Sequence, residues 1–238
     1  MFGKNEMDGK KMAIQLIGIV GLPGAGKSTA LEAVQNYGPI FIMGNVVREE
    51  LVKRGIEYTS ENLGNLSKQL RQEFGENVIA MKIIEKVKDY EKSHQQDEII
   101  HKEQEKTYKE QEQTHKEQEK THKEQEQTHK EDEKTPVFID GLRSDKEYYY
   151  FKQHYPISII FLDCPEEIRY QRLSVRGRAD DSTDFREAKK RDEREIGFGL
   201  LKLKELATYI LDSSRPAETM KEKCIKAIQK ILQKSEQK

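Results

Sequence analysis

The chain of 238 residues has almost no net charge, few cysteines and no long apolar run. Each shortage closes off a class of protein. Its 42 lysines and arginines meet 43 aspartates and glutamates, leaving a net charge of −1. No global cationic field is present to draw it to nucleic acid or an anionic membrane, so neither partner is expected. The two cysteines, Cys164 and Cys224, fall in no metal or redox spacing and read as ordinary reduced thiols. The apolar run Ala13–Leu22 is short and interrupted by Gln15 and Gly18, so neither a signal peptide nor a membrane span is expected, and the cytoplasm is the expected location. Charged residues (36%) outnumber hydrophobic ones (34%), but one segment carries much of that excess, and the rest is long enough for one sizeable core.

That segment is a repeat. From His101 the chain reads HKEQEKT, YKEQEQT, HKEQEKT, HKEQEQT, HKEDEKT, five heptads ending at Thr135. Apart from Tyr108 no heptad position is apolar, so a coiled-coil seam is missing. Glu105–Lys109, Glu112–Lys116, Glu119–Lys123 and Glu126–Lys130 are i,i+4 pairs in the better orientation, each contributing about 0.2–0.5 kcal/mol to a helix. The expectation for 101–135 is a solvated, partly helical arm or disorder, inserted at a surface connection at little cost. Its histidines recur every seven residues, which is no metal-ligand spacing. A protein partner for the arm is the alternative to a tolerated expansion.

Outside the arm, short apolar strands alternate with helical patterns. Strands are predicted at Ala13–Val20, Pro39–Met43, Pro136–Asp140, Ile157–Asp163 and Thr208–Asp212. Helices are predicted at Lys27–Asn36, Asn45–Lys53, Ser60–Phe74, Asn77–Ser93, Asp145–His154, Pro165 to about Val175, Phe185–Glu195, Gly199–Leu206 and Ala217–Gln233. This alternation predicts an α/β fold, a parallel sheet covered on both sides.

Between the first strand and the first helix lies Gly21-Leu22-Pro23-Gly24-Ala25-Gly26-Lys27-Ser28-Thr29, which fits G-x-x-x-x-G-K-[ST]. Glycines let the backbone curl so that successive N–H groups face phosphate oxygens, and the helix beginning at Lys27 adds its positive end. Lys27 would reach the β- and γ-phosphates, Ser28 would offer its hydroxyl to Mg²⁺, and Thr29 would contact the α-phosphate. The loop therefore reads as a binder of a nucleoside triphosphate.

Three further clusters could act on that phosphate. Arg48 in FIMGNVVREEL follows a short strand and would hold an acceptor's phosphate; the plain alternative is an exposed arginine paired with Glu49 or Glu50. In PVFIDGLRS, Asp140 ends an apolar strand and Arg143 follows. A carboxylate there can order Mg²⁺ waters or take the proton of an attacking hydroxyl, while the plain alternative is a helix cap. In Arg169–Arg194, seven arginines lie among acids. Arg169, Arg172 and Arg176 share a helix face; Arg178 follows a hinge-like Gly177; Arg186, Arg191 and Arg194 come after a polar loop. They read as a lid supplying charge to a transition state, or else as a salt-bridged pair of solvated helices.

These motifs together resemble the nucleoside-monophosphate kinase branch of the P-loop kinases. GLPGAGKST, GNVVRE (similar to GDxxR), DGLR (similar to DGFPR, without its proline) and FLDCPEEIRYQRLSVRGR occur in that family's order, and RDEREIGFG is similar to the end of the lid in cytidylate and dephospho-CoA kinases. Outside the arm, the chain resembles more closely an archaeal family of nucleotide-kinase-like proteins related to dephospho-CoA kinase and adenylate kinase. The resemblance implies a P-loop NTPase three-layer αβα sandwich with a five-stranded parallel sheet of order 2-3-1-4-5. It implies one domain from 1–100 and 135–238, with acceptor-side helices over about 44–94 and an arginine-rich lid over about 176–196. It assigns Lys27 and Ser28 to ATP and Mg²⁺, Arg48 and Arg143 to the acceptor with Arg71 of LRQEFG, and Arg172, Arg176 and Arg178 to the lid. The residues around Ile56–Leu63, which would face the acceptor's base, depart from the family.

The expected activity is transfer of the γ-phosphoryl of Mg-ATP to a nucleoside monophosphate or to a dephospho-CoA-type acceptor. Lys27, Asp140, Arg143 and Arg176 are its catalytic candidates. The alternative is a regulatory ATP-binding switch that uses the arm for interaction. The guanine-reading N-K-x-D is absent, which counts against a GTPase version.

Overall fold

In the computed structural model the described residues are 12–95, 134–176 and 185–233. The heptad segment falls outside them except for Lys134 and Thr135, and so do Gly177 and Arg178. Five parallel strands form one sheet: β1 (Ile14–Val20), β2 (Ile40–Ile42), β3 (Thr135–Asp140), β4 (Ile157–Asp163) and β5 (Tyr209–Asp212). Their order is β2-β3-β1-β4-β5, as the resemblance implies. β1 pairs on both sides, and all seven of its residues are buried. This is why it reads as a near-continuous apolar run rather than an alternating one.

The two faces of the sheet carry separate cores. Ile14, Leu16, Val20, Val137, Ile139, Ile159 and Phe161 point to one face. There they meet α2 (Met43–Lys53), α3 (Ser60–Phe74), α4 (helical over 78–95), α5 (Asp145–Lys152) and α8 (Leu200–Glu205). Ile17, Ile19, Phe138, Ile160 and Leu162 point to the other, against α1 (Lys27–Val34) and α9 (Ala217–Gln233). The period of two along each strand decides which core a residue joins. α9 buries Met220, Cys224, Ala227, Ile228 and Ile231, one helical stripe, and burial pushes the Cys224 thiol up to about 11. α6 (Glu166–Arg176) and α7 (Phe185–Gly197) lie beyond the carboxyl edge of the sheet, sharing a small cluster of Tyr170, Leu173 and Ala188. Predicted element limits differ from these by a residue or two, mainly at fraying helix ends.

Strand register fixes the site. Asp140 lies level with Ile19 of β1 and Ile42 of β2, at the carboxyl edge where the β1–α1 loop begins. Chain order reverses between β1 and β3, which makes this edge the crevice where open α/β sheets bind ligands. Thr135, at the other end of β3, pairs with Ile14. The heptad segment therefore joins the sheet at the edge opposite the loop. Among the described residues no helix is long and apolar enough to cross a membrane.

Candidate active site

Two close backbone contacts shape the loop Gly21–Ser28. A Cβ on Gly24 would come within 2.5 Å of the Arg169 carbonyl oxygen, and Gly24 has φ of +79°. A Cβ on Gly21 would come within 2.8 Å of the Leu162 carbonyl oxygen. Only glycine fits both places. Gly26, also left-handed, is the N-cap of α1, and it offers no side-chain cap to the helix's first N–H groups. No acid lies in that first turn either. The positive end of α1 is thus left open to an anion.

Lys27 folds back over the loop, its ammonium donating to the carbonyls of Gly21 (2.6 Å) and Leu22 (3.1 Å). Burial lowers its pKa to about 8, against the upward pull of the Asp140 and Glu195 carboxylates and with smaller downward pushes from Arg143 and Arg191. The charges of Asp140, Glu195, Arg143 and Arg191 thus act on the Lys27 ammonium. Asp140 is half-buried, and its Oδ1 is enclosed with no hydrogen-bond donor among the described residues. It is not a helix cap: that role belongs to Ser144, whose hydroxyl accepts from the Glu147 N–H at the start of α5 (3.2 Å). An unsatisfied buried carboxylate oxygen whose charge acts on an enclosed ammonium suits a group brought in from outside. A carboxylate and a hydroxyl are hard oxygen donors of the kind Mg²⁺ takes, and Asp140 and Ser28 are of that type.

The arginines divide. Arg143 is exposed and pairs with the buried Glu195 of α7, Nε to Oε2 at 3.3 Å. Arg172 donates to the Ser213 carbonyl (2.9 Å) and lies against Cys164 Sγ (3.5 Å). Its Nη1 would stand 3.9 Å from a Cβ on Gly26, which puts it beside the loop. Arg176 is exposed at the end of α6, and Arg178 lies outside the described residues. Arg169 departs from the expectation of a lid cation. It is buried (3% exposed), donates to Pro23 O (3.0 Å) and Cys164 O (3.2 Å), and pairs with Asp192 of α7 (2.6 Å). Sharing a helix face with Arg172 and Arg176 does not give it their depth, because α7 covers its end of the stripe.

Among the acceptor candidates, Arg48 is exposed and donates to Asn45 Oδ1 (2.6 Å) and the Tyr58 hydroxyl (3.3 Å). The acids expected as its alternative partners are taken: Glu50 by Arg54 (2.8 Å) and Glu49 by Lys86 (2.6 Å). Arg71 bonds Ser67 and pairs with Glu147 (3.2 Å), whose other oxygen accepts the Arg143 N–H (3.0 Å). Arg71 thus reaches the β3–α5 loop through a buried glutamate. Glu195, Asp192 and Glu147 escaped the sequence reading. One signal was available for two of them: Ala188, Asp192 and Glu195 stand at the i, i+4, i+7 positions where α7 buries its stripe.

The strand order and the loop at the end of β1 together define a P-loop kinase-like protein. Two family models, each described as an AAA domain, match residues 20–93 and 64–196. The chain belongs to the UPF0200 family. A UPF0200 protein of Methanocaldococcus jannaschii is 33% identical over 219 residues, covering 92% of this chain and 89% of its own. One of Thermococcus onnurineus is 31% identical over 221 residues, covering 91% and 98%. The chain spans 58% of the length of a UPF0200/UPF0201 protein of Archaeoglobus fulgidus. Among solved structures, TT1252 from Thermus thermophilus and a shikimate kinase from Acinetobacter baumannii align with TM-scores of 0.46 and 0.45 at 17% and 12% identity, over 93% and 94% of this chain and 99% and 96% of theirs. The fold is read from the strand order, not from them.

Proposed function

We propose that the protein is a small-molecule kinase that moves the γ-phosphoryl of ATP to a nucleotide or nucleotide-like acceptor, a nucleoside monophosphate or a dephospho-CoA-type hydroxyl. The observation that carries this is the enclosed Lys27 ammonium acted on by the charges of Asp140, with its unsatisfied oxygen, and of the Arg143–Glu195 pair. The Asp140 carboxylate and the Arg143 guanidinium both act on the loop's lysine. Phosphoryl transfer uses both, to orient the attacking oxygen and to neutralise charge on the moving group.

In this reading the loop Gly21–Thr29, through its free backbone N–H groups and the Lys27 ammonium, holds the triphosphate. Ser28 and Asp140 hold Mg²⁺, whose charge would offset that on the β- and γ-phosphate oxygens when bound. In the alternative role, Asp140 would accept the proton of an attacking hydroxyl. Arg172, Arg176 and Arg178 would face the donor. Arg48 and Arg143 would take the acceptor, with Arg71 supporting Arg143 through Glu147.

The test is ADP release from Mg-ATP with AMP, CMP, UMP, GMP, dTMP or dephospho-CoA as acceptor, and Lys27→Ala as the blank. A rise with one acceptor is expected and names the substrate. Slow release that ignores every acceptor would overturn the kinase and leave a nucleotide switch.

A further inference from the structure

The guanidinium of Arg169 spends its donors on three different segments. Nε goes to the Cys164 carbonyl at the end of β4, Nη1 to the Pro23 carbonyl inside the phosphate loop, and Nη2 to Asp192 of α7. The Arg169 backbone also forms the wall that Gly24 presses on. Asp192 is 5% exposed, and its Oδ2 also accepts from the Tyr170 hydroxyl (3.0 Å). Its Oδ1 has no donor among the described residues, and Arg169 and Tyr170 both donate to Oδ2. One turn further along α7, Glu195 holds Arg143, and the charges of Glu195 and Arg191 act on Lys27. The same helix is therefore fastened to the loop at Asp192 and projects charge into the site at Arg191 and Glu195.

We propose that Arg169 and Asp192 are positioning residues, a strut that makes the phosphate loop and α7 move as one body and keeps the charges of α7 in register with the phosphates the loop holds. This rests on the reading of Gly21–Thr29 as a nucleotide loop. A buried ion pair is a poor means of adding stability, since apolar side chains of equal volume do as well, but it fixes the relative position of two segments with directional bonds. Binding at the loop and ordering of α7 are then coupled, and the coupling runs through one carboxylate.

The experiment is hydrogen exchange on the full chain with and without Mg-ATP, comparing the native protein with Asp192→Asn, which keeps the side chain's size and removes its charge. In the native protein Mg-ATP is expected to slow exchange in residues 21–29 and also in 185–197. In Asp192→Asn it should slow 21–29 alone, and turnover should fall by about ten- to a hundredfold, the loss that follows a small misplacement of a catalytic charge. Arg169→Met removes the Pro23 anchor as well, so its ATP affinity should fall too. Should Asp192→Asn fail to fold, Tyr170→Phe removes a single donor from the same carboxylate and should weaken the α7 response in part. If 21–29 responds in the native protein and 185–197 does not, or if 185–197 responds equally in the variants, the strut is overturned and the nucleotide loop stands. If 21–29 itself ignores Mg-ATP, the nucleotide loop is overturned and the strut with it. A lower melting temperature with an intact α7 response would mark the pair as structural only and would also overturn the proposal.

Discussion

The two sides of the candidate site are built differently. On the donor side the loop is wedged between backbones, at Gly21 against Leu162 and at Gly24 against Arg169, and its supporting charges, Arg169, Asp192 and Glu195, are buried. On the proposed acceptor side Arg48 is exposed among Asn45 and Tyr58, and α2 is tied to its neighbours by surface pairs such as Lys86–Glu49 and Arg54–Glu73. Such pairs contribute about 0–1 kcal/mol each. Under the proposed function, a triphosphate is the same ligand in every protein that binds it this way, so its cradle can be fixed by the fold. An acceptor varies, and the side proposed to meet it stays on the surface, where side chains change at little cost to stability.

The largest effect that would sharpen this contrast is loss of Lys27. Lys27→Met should cut turnover at least a hundredfold, by the usual size for a lost transition-state donor. It should also stabilise the nucleotide-free protein at pH 7. The sign follows from the lowered pKa of about 8. Below pH 8 the lysine is charged both folded and unfolded, and the cost of enclosing that charge is present in full. Between about 8 and its ordinary value of 10.5 the folded state alone gives up the proton, so the native protein grows more stable with rising pH. Denaturant melts of both proteins across pH 7–10 should therefore show the advantage of Lys27→Met shrinking, and an advantage constant with pH would refute the enclosed charge.

Paired glycine substitutions break the comparison most directly. Gly24→Ala meets the Arg169 carbonyl at 2.5 Å and a left-handed φ, and the backbone strain alone costs about 1–3 kcal/mol. Gly64 lies in α3, and a Cβ there has nothing within 4 Å. Gly64→Ala should stabilise by about 0.5–1 kcal/mol. Equal responses in chemical denaturation would mean the donor side is no more rigid than the acceptor side.

How far this was legible in the sequence depends on what signal a residue leaves. β1 and its loop announce themselves, the strand by a run of apolar residues and the loop by glycines at fixed offsets. Asp140 could be placed because it closes an apolar strand. Arg169 and Glu147 leave no such mark. A charged residue in a charged helix looks solvated until another element is known to cover it, and helical periodicity does not say which charges α7 or α3 will cover. The resemblance gives Arg71 to the acceptor, and in the fold it reaches the side chain of Glu147, which is 3% exposed. Arg71→Ala should destabilise by about 1–3 kcal/mol, since it leaves a buried carboxylate short of a partner, and should loosen Arg143 through their shared glutamate. Arg48→Ala should leave stability within about 0.5 kcal/mol and raise the KM of the acceptor. If Arg71→Ala instead behaves like Arg48→Ala, changing the acceptor's KM without touching the melt, Arg71 contacts the acceptor directly.

The smallest effect is expected from the longest alteration. The heptad segment meets the sheet at Thr135, which pairs with Ile14 and whose N–H donates to the Ala13 carbonyl (2.9 Å), at the edge opposite Lys27. β3 is carried from there to Asp140 by ladder bonds to β1, independent of what precedes it. Lengthening or shortening a surface connection changes closure entropy only slowly, by about 0.6 kcal/mol per doubling. Replacing 101–133 with a short Gly/Ser linker should therefore leave the melting temperature, ATP affinity and ADP release close to those of the native protein. A clear loss of stability would show that the segment packs on the core. Unchanged stability with altered turnover would show that the segment acts on the site from the far edge of the sheet, a coupling nothing in the strand register provides for.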